Sequence, residues 1–600
     1  MQKPIKEKIV QALRVDRALR LVWQATPGWT MANLLLQIIQ GILPLAALYL
    51  MKLIVDAVTY SITAPDKTQI FRQIVLLIII AGGVALLNAL CQFLANIVGE
   101  SMSLTVTDHV FDILHAKSVE VDLEYYENPR YFDTLHRAQK EGPYRPTSIV
   151  NDLVRLVQNF VTLLAMTGLL LALHWAVACV LFLAVIPGVV VRIKYANKMY
   201  RLYQAQTKTE RQALYINWIL TGDIHAKEIR LFGLADLLID RFSRLHTRLR
   251  HEKLAIGQKR SMAEFLAQAS ATTAVFASFA FIAYRTVQGT ITLGDMVMYF
   301  QAFQRGLNSM RDLLGSMASL YEDNLFLSNL FEFLNLKPKV NEPDHPHSVP
   351  SQLQKGIIFE GVSFHYPSSQ RRVLEDITFA IAPGETVALV GRNGCGKTTL
   401  AKLLCRLYDP DQGLITLDNI DIKQFAIRSL RSNISVLFQD FVRYYLTVKE
   451  NIWFGSVDQP LDEEKVAAAA KQAGVHELIM NLPKDYDTLL GKWFEEGEEL
   501  SSGEWQKIGL ARTFLRKSQI ILLDEPASSL DPRAEHEIFC RFKELTRGKT
   551  SLFISHRLST VKMADRILVM DKGKIIESGT YDELVQKKGS FAHLFDTGIS

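Results

Sequence analysis

The stretch Gly391-Arg392-Asn393-Gly394-Cys395-Gly396-Lys397-Thr398-Thr399 decides how the second half of this chain folds. It follows a strand-like run, Thr386–Val390, and leads into an apolar helical stretch, Leu400–Leu407. Strand, glycine turn and helix in that order match GxxxxGK[ST] in the setting the motif requires. The glycines let backbone N–H groups close around phosphate oxygens, at the positive end of a helix. Lys397 brings charge to the β- and γ-phosphates of a nucleotide, and Thr398 offers a hydroxyl to Mg²⁺. Cys395 occupies a variable position of the loop, so its thiol reads as incidental.

Downstream, a second apolar strand, Ile520–Leu523, ends in Asp524 and Glu525. An aspartate so placed holds Mg²⁺ in phosphate-loop folds. The adjacent Glu525 is positioned to polarise an attacking water. Upstream, from Gly356, short β-rich runs alternate with helical ones, as in an α/β domain with a largely parallel sheet. A linker, Lys337 to Gln354, carries Pro338, Pro343, Pro346 and Pro350, which resist continuous helix.

The first half is different. A helix needs about 20 mostly apolar residues to cross a bilayer. Six stretches come near that length: Thr30–Val55, Ile74–Val98, Leu156–Leu173, Trp175–Val191, Met262–Tyr284 and Met296–Leu320. The third and fourth nearly touch, so the turn between them falls at His174. The segments Gly99–Arg155 and Arg192–Ser261 are long, charged and helical in pattern, which extends the membrane helices beyond the bilayer. Lys and Arg gather in these segments and at the N-terminus, placing both termini in the cytoplasm. Met1 to Arg20 is basic and amphipathic, without the uninterrupted apolar core of a signal peptide, and reads as a helix on the membrane surface.

Polar residues recur at helical spacing in three spans: Asn33, Gln37 and Gln40; Asn88, Gln92 and Asn96; Gln301, Gln304, Arg305, Asn308 and Asp312. They either line a wet pathway or bond between helices. For the sixth span the charge of Arg305 favours the pathway. The net charge of +5 is small for 600 residues and no basic stripe with stacking aromatics stands out, so no nucleic-acid partner is expected. The five cysteines show neither metal spacing nor pairing.

These residues together resemble an ABC transporter of the exporter type, over nearly the whole chain. Leu500-Ser501-Ser502-Gly503-Glu504 is similar to the signature that separates this family from other phosphate-loop proteins. The resemblance implies a fold with a six-span helical membrane domain followed by an α/β ATPase domain. Its expected bounds are an amphipathic helix over 1–28, the membrane domain over 29–330, a linker over 331–355 and the ATPase domain over 356–597. It implies that Tyr366 stacks on adenine, that Gln439 senses Mg²⁺, that Ser528-Ser529-Leu530-Asp531 forms the D-loop and that His556 contacts the γ-phosphate. Gly391, Arg392, Asn393, Gly394, Cys395, Gly396, Lys397, Thr398 and Thr399 would hold ATP, with Mg²⁺ on Thr398, Gln439 and Asp524. Glu525 and His556 would be catalytic.

One ATPase domain and six spans make a half-transporter. The implied partner is a second copy, or a related half-transporter, whose Ser501, Ser502, Gly503 and Glu504 complete the site. Segments around Tyr125–Pro129 and Ala226–Gly233 resemble the coupling helices. The sequence departs from the family at Ser502, usually glycine, and at Glu504, usually glutamine. Glu504 should weaken nucleotide binding unless it is paired or solvated. The acidic run Glu495-Glu496-Gly497-Glu498-Glu499 either meets basic loops or is solvated.

The expected activity is ATP-driven export by alternating access across the cytoplasmic membrane of a prokaryote. The run Gly503–Ile508 and the Tyr125–Pro129 segment are similar to those of bacterial peptide exporters of the lantibiotic type. Lipid or lipid-linked sugar flipping, multidrug efflux and an ATP-dependent membrane sensor are the alternatives. A soluble ABC ATPase of DNA repair or translation would lack the six apolar stretches.

Overall fold

The computed structural model describes residues 16–62, 67–127, 144–367, 371–526 and 548–596, together with 131, 134, 135, 138, 139, 142, 369 and 546. The chain divides into two units, one of residues 1–118 and 132–336, the other of residues 119–131 and 337–600.

The first unit is helical. Its elements are α1 (Asp16–Ala25), α2 (Pro27–Ser61) and α3 (Lys67–Glu120), with the short α4 (Leu123–Tyr126) assigned to the second unit. Then come α5 (Arg145–Leu173), α6 (Trp175–Thr221), the short α7 (Ala226–Leu231), α8 (Ala235–Val287) and α9 (Leu293–Leu334). At 54 residues α3 is about 80 Å long, far beyond the bilayer core. The turn expected at His174 is present: α5 stops at Leu173, and the His174 ring caps α6 by accepting from the Ala176 N–H at 3.2 Å.

Five of these helices are long and apolar enough to cross a membrane: α2, α3, α5, the Trp175–Tyr203 part of α6, and α8. The sixth stretch lies in α9, whose polar residues keep it out of that set. It packs nonetheless against α5, α2 and α6. Arg145 of α5 pairs with the buried Asp323 of α9, and Lys52 of α2 pairs with Asp295 at 2.8 Å.

The three polar faces divide. Asn33 is buried and donates to Asn151 of α5 at 3.4 Å, a bond between helices. Gln92 and Asn96 lie exposed on α3. Gln301, Gln304, Arg305 and Asn308 line a cavity of about 470 Å³ with Phe279 of α8. Residues 1–15 lie outside the described set. In α1, Ala18, Leu21 and Val22 are buried, and the helix packs on α5.

The second unit holds two sheets. The six-stranded one runs β10-β9-β3-β8-β7-β6, from β3 (Thr386–Gly391), β6 (Ile434–Leu437), β7 (Ile520–Asp524), β8 (Thr550–Ile554), β9 (Arg566–Asp571) and β10 (Lys574–Gly579). All neighbours are parallel except β9 and β10. Strands β7 and β8 are buried along their whole length, as a sheet covered on both faces requires. The second sheet, β2-β1-β4-β5, is antiparallel, with β1 (Ile357–His365), β2 (Arg372–Ile381), β4 (Gln412–Leu417) and β5 (Ile420–Asp421). It was not expected from the sequence pattern. Its short β-rich runs carry no mark of which strand pairs with which. Helices α10 (Lys397–Leu404), α11 (Val448–Trp453), α12 (Glu463–Gln472) and α13 (Ser502–Leu515) belong to this unit, and the last three pack together.

Candidate nucleotide site

Strand β3 is central in the parallel sheet, and the phosphate loop leaves its carboxyl end. Gln439 follows β6, Asp524 and Glu525 end β7, and His556 follows β8. Parallel strands put all these ends on one edge, where α/β folds bind ligands. Side chains far apart in sequence thus share one pocket of about 520 Å³. Its walls include Tyr366, Asn393, Gly394, Gly396, Lys397, Thr398, Thr399, Gln439, Asp524, Glu525 and His556. Val373 lines it as well.

The loop's shape depends on its glycines. Gly396 has φ 111°, and a Cβ there would lie 2.6 Å from Leu374 Cδ2. Gly391 would drive a Cβ to 2.1 Å from the Met570 carbonyl. Lys397 is buried, and its ammonium donates to the carbonyls of Gly391 at 2.8 Å and Arg392 at 3.2 Å. Cys395 turns into the hydrophobic core, where burial raises its thiol pKa; it does not line the pocket, and neither does Arg392. Tyr366 is fixed beside the loop, its hydroxyl 3.0 Å from Thr399 Oγ1.

Asp524 is buried and accepts from the Thr398 hydroxyl at 2.6 Å. Burial raises its carboxyl pKa, and the Thr398 bond opposes this. Glu525 has φ 51°, a conformation costly for a residue with a Cβ and one that clusters at functional sites. Three segments hold it. Gln439 Nε2 donates to Oε2 at 3.0 Å, His556 Nε2 meets Oε1 at 3.0 Å, and Gln506 Nε2 donates to its carbonyl at 3.1 Å. Burial and the charge of Lys397 lower the His556 pKa, outweighing Glu525. The ring is then neutral near pH 7, and facing a carboxylate it carries its proton on Nε2.

The signature residues stand elsewhere. Ser501 caps α13, and no residue from Ser501 to Glu504 lines this chain's pocket. Glu504 is paired: its Oε2 accepts from the Ser501 N–H at 2.7 Å, and Ser501 Oγ accepts from the Glu504 N–H at 3.3 Å. This capping box occupies the carboxylate that the sequence left facing a polyanion. Ser502 Oγ accepts from Arg443 at 3.0 Å. In the acidic run, Glu496 pairs with Lys484 of the same unit. The expected D-loop, Ser528–Asp531, and Asn128 and Pro129 lie outside the described residues.

Sequence reasoning missed Gln506, Val373 and Lys402. Gln506 is one glutamine among many until the fold buries it under Glu525. Lys402 lies four residues past Thr398, with its ammonium 5.4 Å from the Tyr366 ring centroid and 3.1 Å from Glu127 of the 119–131 segment.

A phosphate loop, an Asp–Glu pair, a glutamine and a histidine on one sheet edge, in a chain whose other unit carries membrane-length apolar helices, define a nucleotide-driven membrane protein. Family models agree: residues 147–307 match the ABC transporter transmembrane region and residues 374–528 match ABC transporter. The subtilin transport ATP-binding protein of Bacillus subtilis is 31% identical over 98% of this chain and 94% of its own length. The nisin transport ATP-binding protein of Lactococcus lactis is 28% identical over 98% and 97%. An ATP-dependent lipid A-core flippase of Alkalilimnicola ehrlichii is 36% identical over 68% of each chain. Among solved structures, a bacterial Atm1-family ABC exporter with ATP bound superposes with TM-score 0.80, at 24% identity, over 95% of this chain and 98% of that one. The chain belongs to the ABC transporter family. It is an integral membrane protein that binds ATP and couples its hydrolysis to export.

Proposed function

We propose that the chain works as a homodimer in the cytoplasmic membrane of a prokaryote and exports a peptide or a similarly amphipathic molecule. The cargo reading rests on one observation, the full-length match to the subtilin transport protein. The polar wall of Gln301, Gln304, Arg305 and Asn308 suits such a cargo. The dimer reading is supported by the signature, which caps α13 and does not line the pocket of its own chain, as expected if it closes over the pocket of a second copy. Leu231 and Phe232, at the end of α7, are exposed on the single chain, as a docking element would be.

In this reading adenine stacks on Tyr366, and the phosphates lie in Gly391–Thr399 under the Lys397 charge. Thr398, Asp524 and Gln439 offer hard oxygen donors suited to Mg²⁺, which keeps few protein ligands beside substrate phosphates. When bound, the ion neutralises phosphate charge. Glu525 accepts the proton of the attacking water, held in place by Gln439 and His556. The neutral His556 ring donates from Nε2 and can pass that bond from Glu525 to the γ-phosphate. Ser501, Ser502, Gly503 and Glu504 of the partner close the site, driving the bundle between its inward-open and outward-open states.

The test is the ATPase rate of the reconstituted protein against panels of amphipathic peptides, lipids and drugs. Stimulation by peptides is expected. Stimulation by lipid alone would replace the peptide reading with flipping, which the lipid A-core flippase relative favours.

A further inference from the structure

Three arginines from three helices converge on one groove in the helical unit. Arg192 of α6, Arg260 of α8 and Arg311 of α9 line a cavity of about 480 Å³. Much of its remaining wall is small or apolar, with Ala184 and Gly188 from α6, Ala267 and Ala271 from α8, and Leu314 from α9. The lining holds one acid, Glu264, whose Oε1 accepts from Arg260 at 2.8 Å. Among the described residues neither Arg192 nor Arg311 forms an ion pair; Asp312, the chain neighbour of Arg311, is exposed. Three cations against one anion leave the lining itself with a net positive charge. Gly315 admits one of the cations to α9, since a Cβ there would lie 2.3 Å from Arg192 Nη1.

The groove has a polarity along the membrane normal. Arg192 directly follows the apolar stretch Trp175–Val191, and Arg260 is separated from the start of Met262–Tyr284 by Ser261 alone. Both therefore sit where the helices leave the bilayer, on the side that carries the basic segments, which is cytoplasmic. Ala184 and Gly188 lie one to two turns inward along α6, and Ala267 and Ala271 two to three turns inward along α8. One end is cationic at headgroup depth, and the other is apolar within the hydrocarbon. Guanidinium groups meet phosphate oxygens in a bidentate fork, and basic pockets between membrane helices on this side fit anionic headgroups.

We propose that this groove is a resident site for an anionic phospholipid of the cytoplasmic leaflet. Its headgroup phosphate lies among Arg192, Arg260 and Arg311, and an acyl chain runs along the Ala184–Ala271 wall. Net positive charge, beyond simple phosphate contact, selects an anionic headgroup over a zwitterionic one. The site is separate from the nucleotide pocket and from the Gln301–Asn308 cavity, and its lipid stays bound whichever cargo is exported.

The test titrates the purified full-length protein with phosphatidylglycerol or phosphatidylcholine and counts bound lipids by native mass spectrometry. Wild type should prefer phosphatidylglycerol by roughly tenfold or more. Arg192→Gln and Arg311→Gln should each lower its affinity roughly fivefold and leave phosphatidylcholine unchanged. Glu264→Gln frees Arg260 and should raise the affinity roughly fivefold, a gain that misfolding cannot imitate. Equal binding of the two lipids, or a preference indifferent to all three substitutions, overturns the site. Labelled phosphatidylglycerol in proteoliposomes separates resident from cargo: a resident lipid is not moved by ATP, and ATP-driven translocation would overturn the assignment.

Discussion

At the scale of single residues, Glu525 and His556 carry the sharpest consequences. If Glu525 is the general base, Glu525→Gln keeps nucleotide binding, because the amide still bonds and Lys397 is untouched. Turnover should fall by roughly 10² or more. Parallel ATPase and nucleotide-binding measurements check this, and undiminished hydrolysis removes the assignment. For His556 the sign follows from its lowered pKa. The unfolded ring takes up a proton as pH falls through about 6.5, while the folded ring resists until lower pH. The neutral ring and its bond to Glu525 therefore persist at and above about pH 6.5. Stability and activity are lost as pH falls below that value, through the folded pKa. A pH–rate profile should place the acidic limb below about 6.5, and a limb at or above it contradicts a neutral His556.

At the scale of elements, α4 and its flanking residues belong with the ATPase unit although they interrupt the helical one in sequence. Asp122 accepts from the Lys339 and Val340 backbone, Glu124 pairs with Lys339 at 2.6 Å, and Glu127 reaches Lys402 of α10 at 3.1 Å. Lys402 in turn sits over the ring expected to stack on adenine. Both members of the Glu127–Lys402 pair are partly shielded from solvent. A double-mutant cycle with Glu127→Lys and Lys402→Glu should give a coupling of about 0.5–1 kcal/mol in ATPase-unit stability. The charge-swapped pair should recover most of what either single change loses. Additive losses in thermal unfolding would show that the pair contributes nothing.

At the scale of the whole molecule, the separation of signature from phosphate loop within one chain makes a complementation test possible. Chains carrying Lys397→Ala are inactive in the proposal because each dimer lacks both phosphate contacts. Chains with Ser501 and Gly503 both replaced are inactive because neither pocket is closed. Mixed in one membrane, the two variants form some dimers with one intact composite site. ATPase activity should reappear on mixing, and its continued absence would count against shared sites.

Local order explains how much was legible in the sequence. The phosphate loop, the Asp524 strand end, the turn at His174 and the long membrane helices each depend on contiguous residues whose spacing, glycines or apolar runs report local conformation. The antiparallel β2-β1-β4-β5 sheet was not legible, because pairing depends on distant strands. Nor was the fate of Glu504, whose charge looked unfavourable until the helix start folded it into a capping box. Gln506 beneath Glu525, Lys402 between Tyr366 and Glu127, and Arg192 over Gly315 are likewise contacts between elements. The sequence by itself determined that this is a membrane ATPase of the ABC type and which loop holds phosphate. The tertiary structure alone decided which side chains surround that loop, because strand order and helix packing bring together groups that no sequence spacing relates.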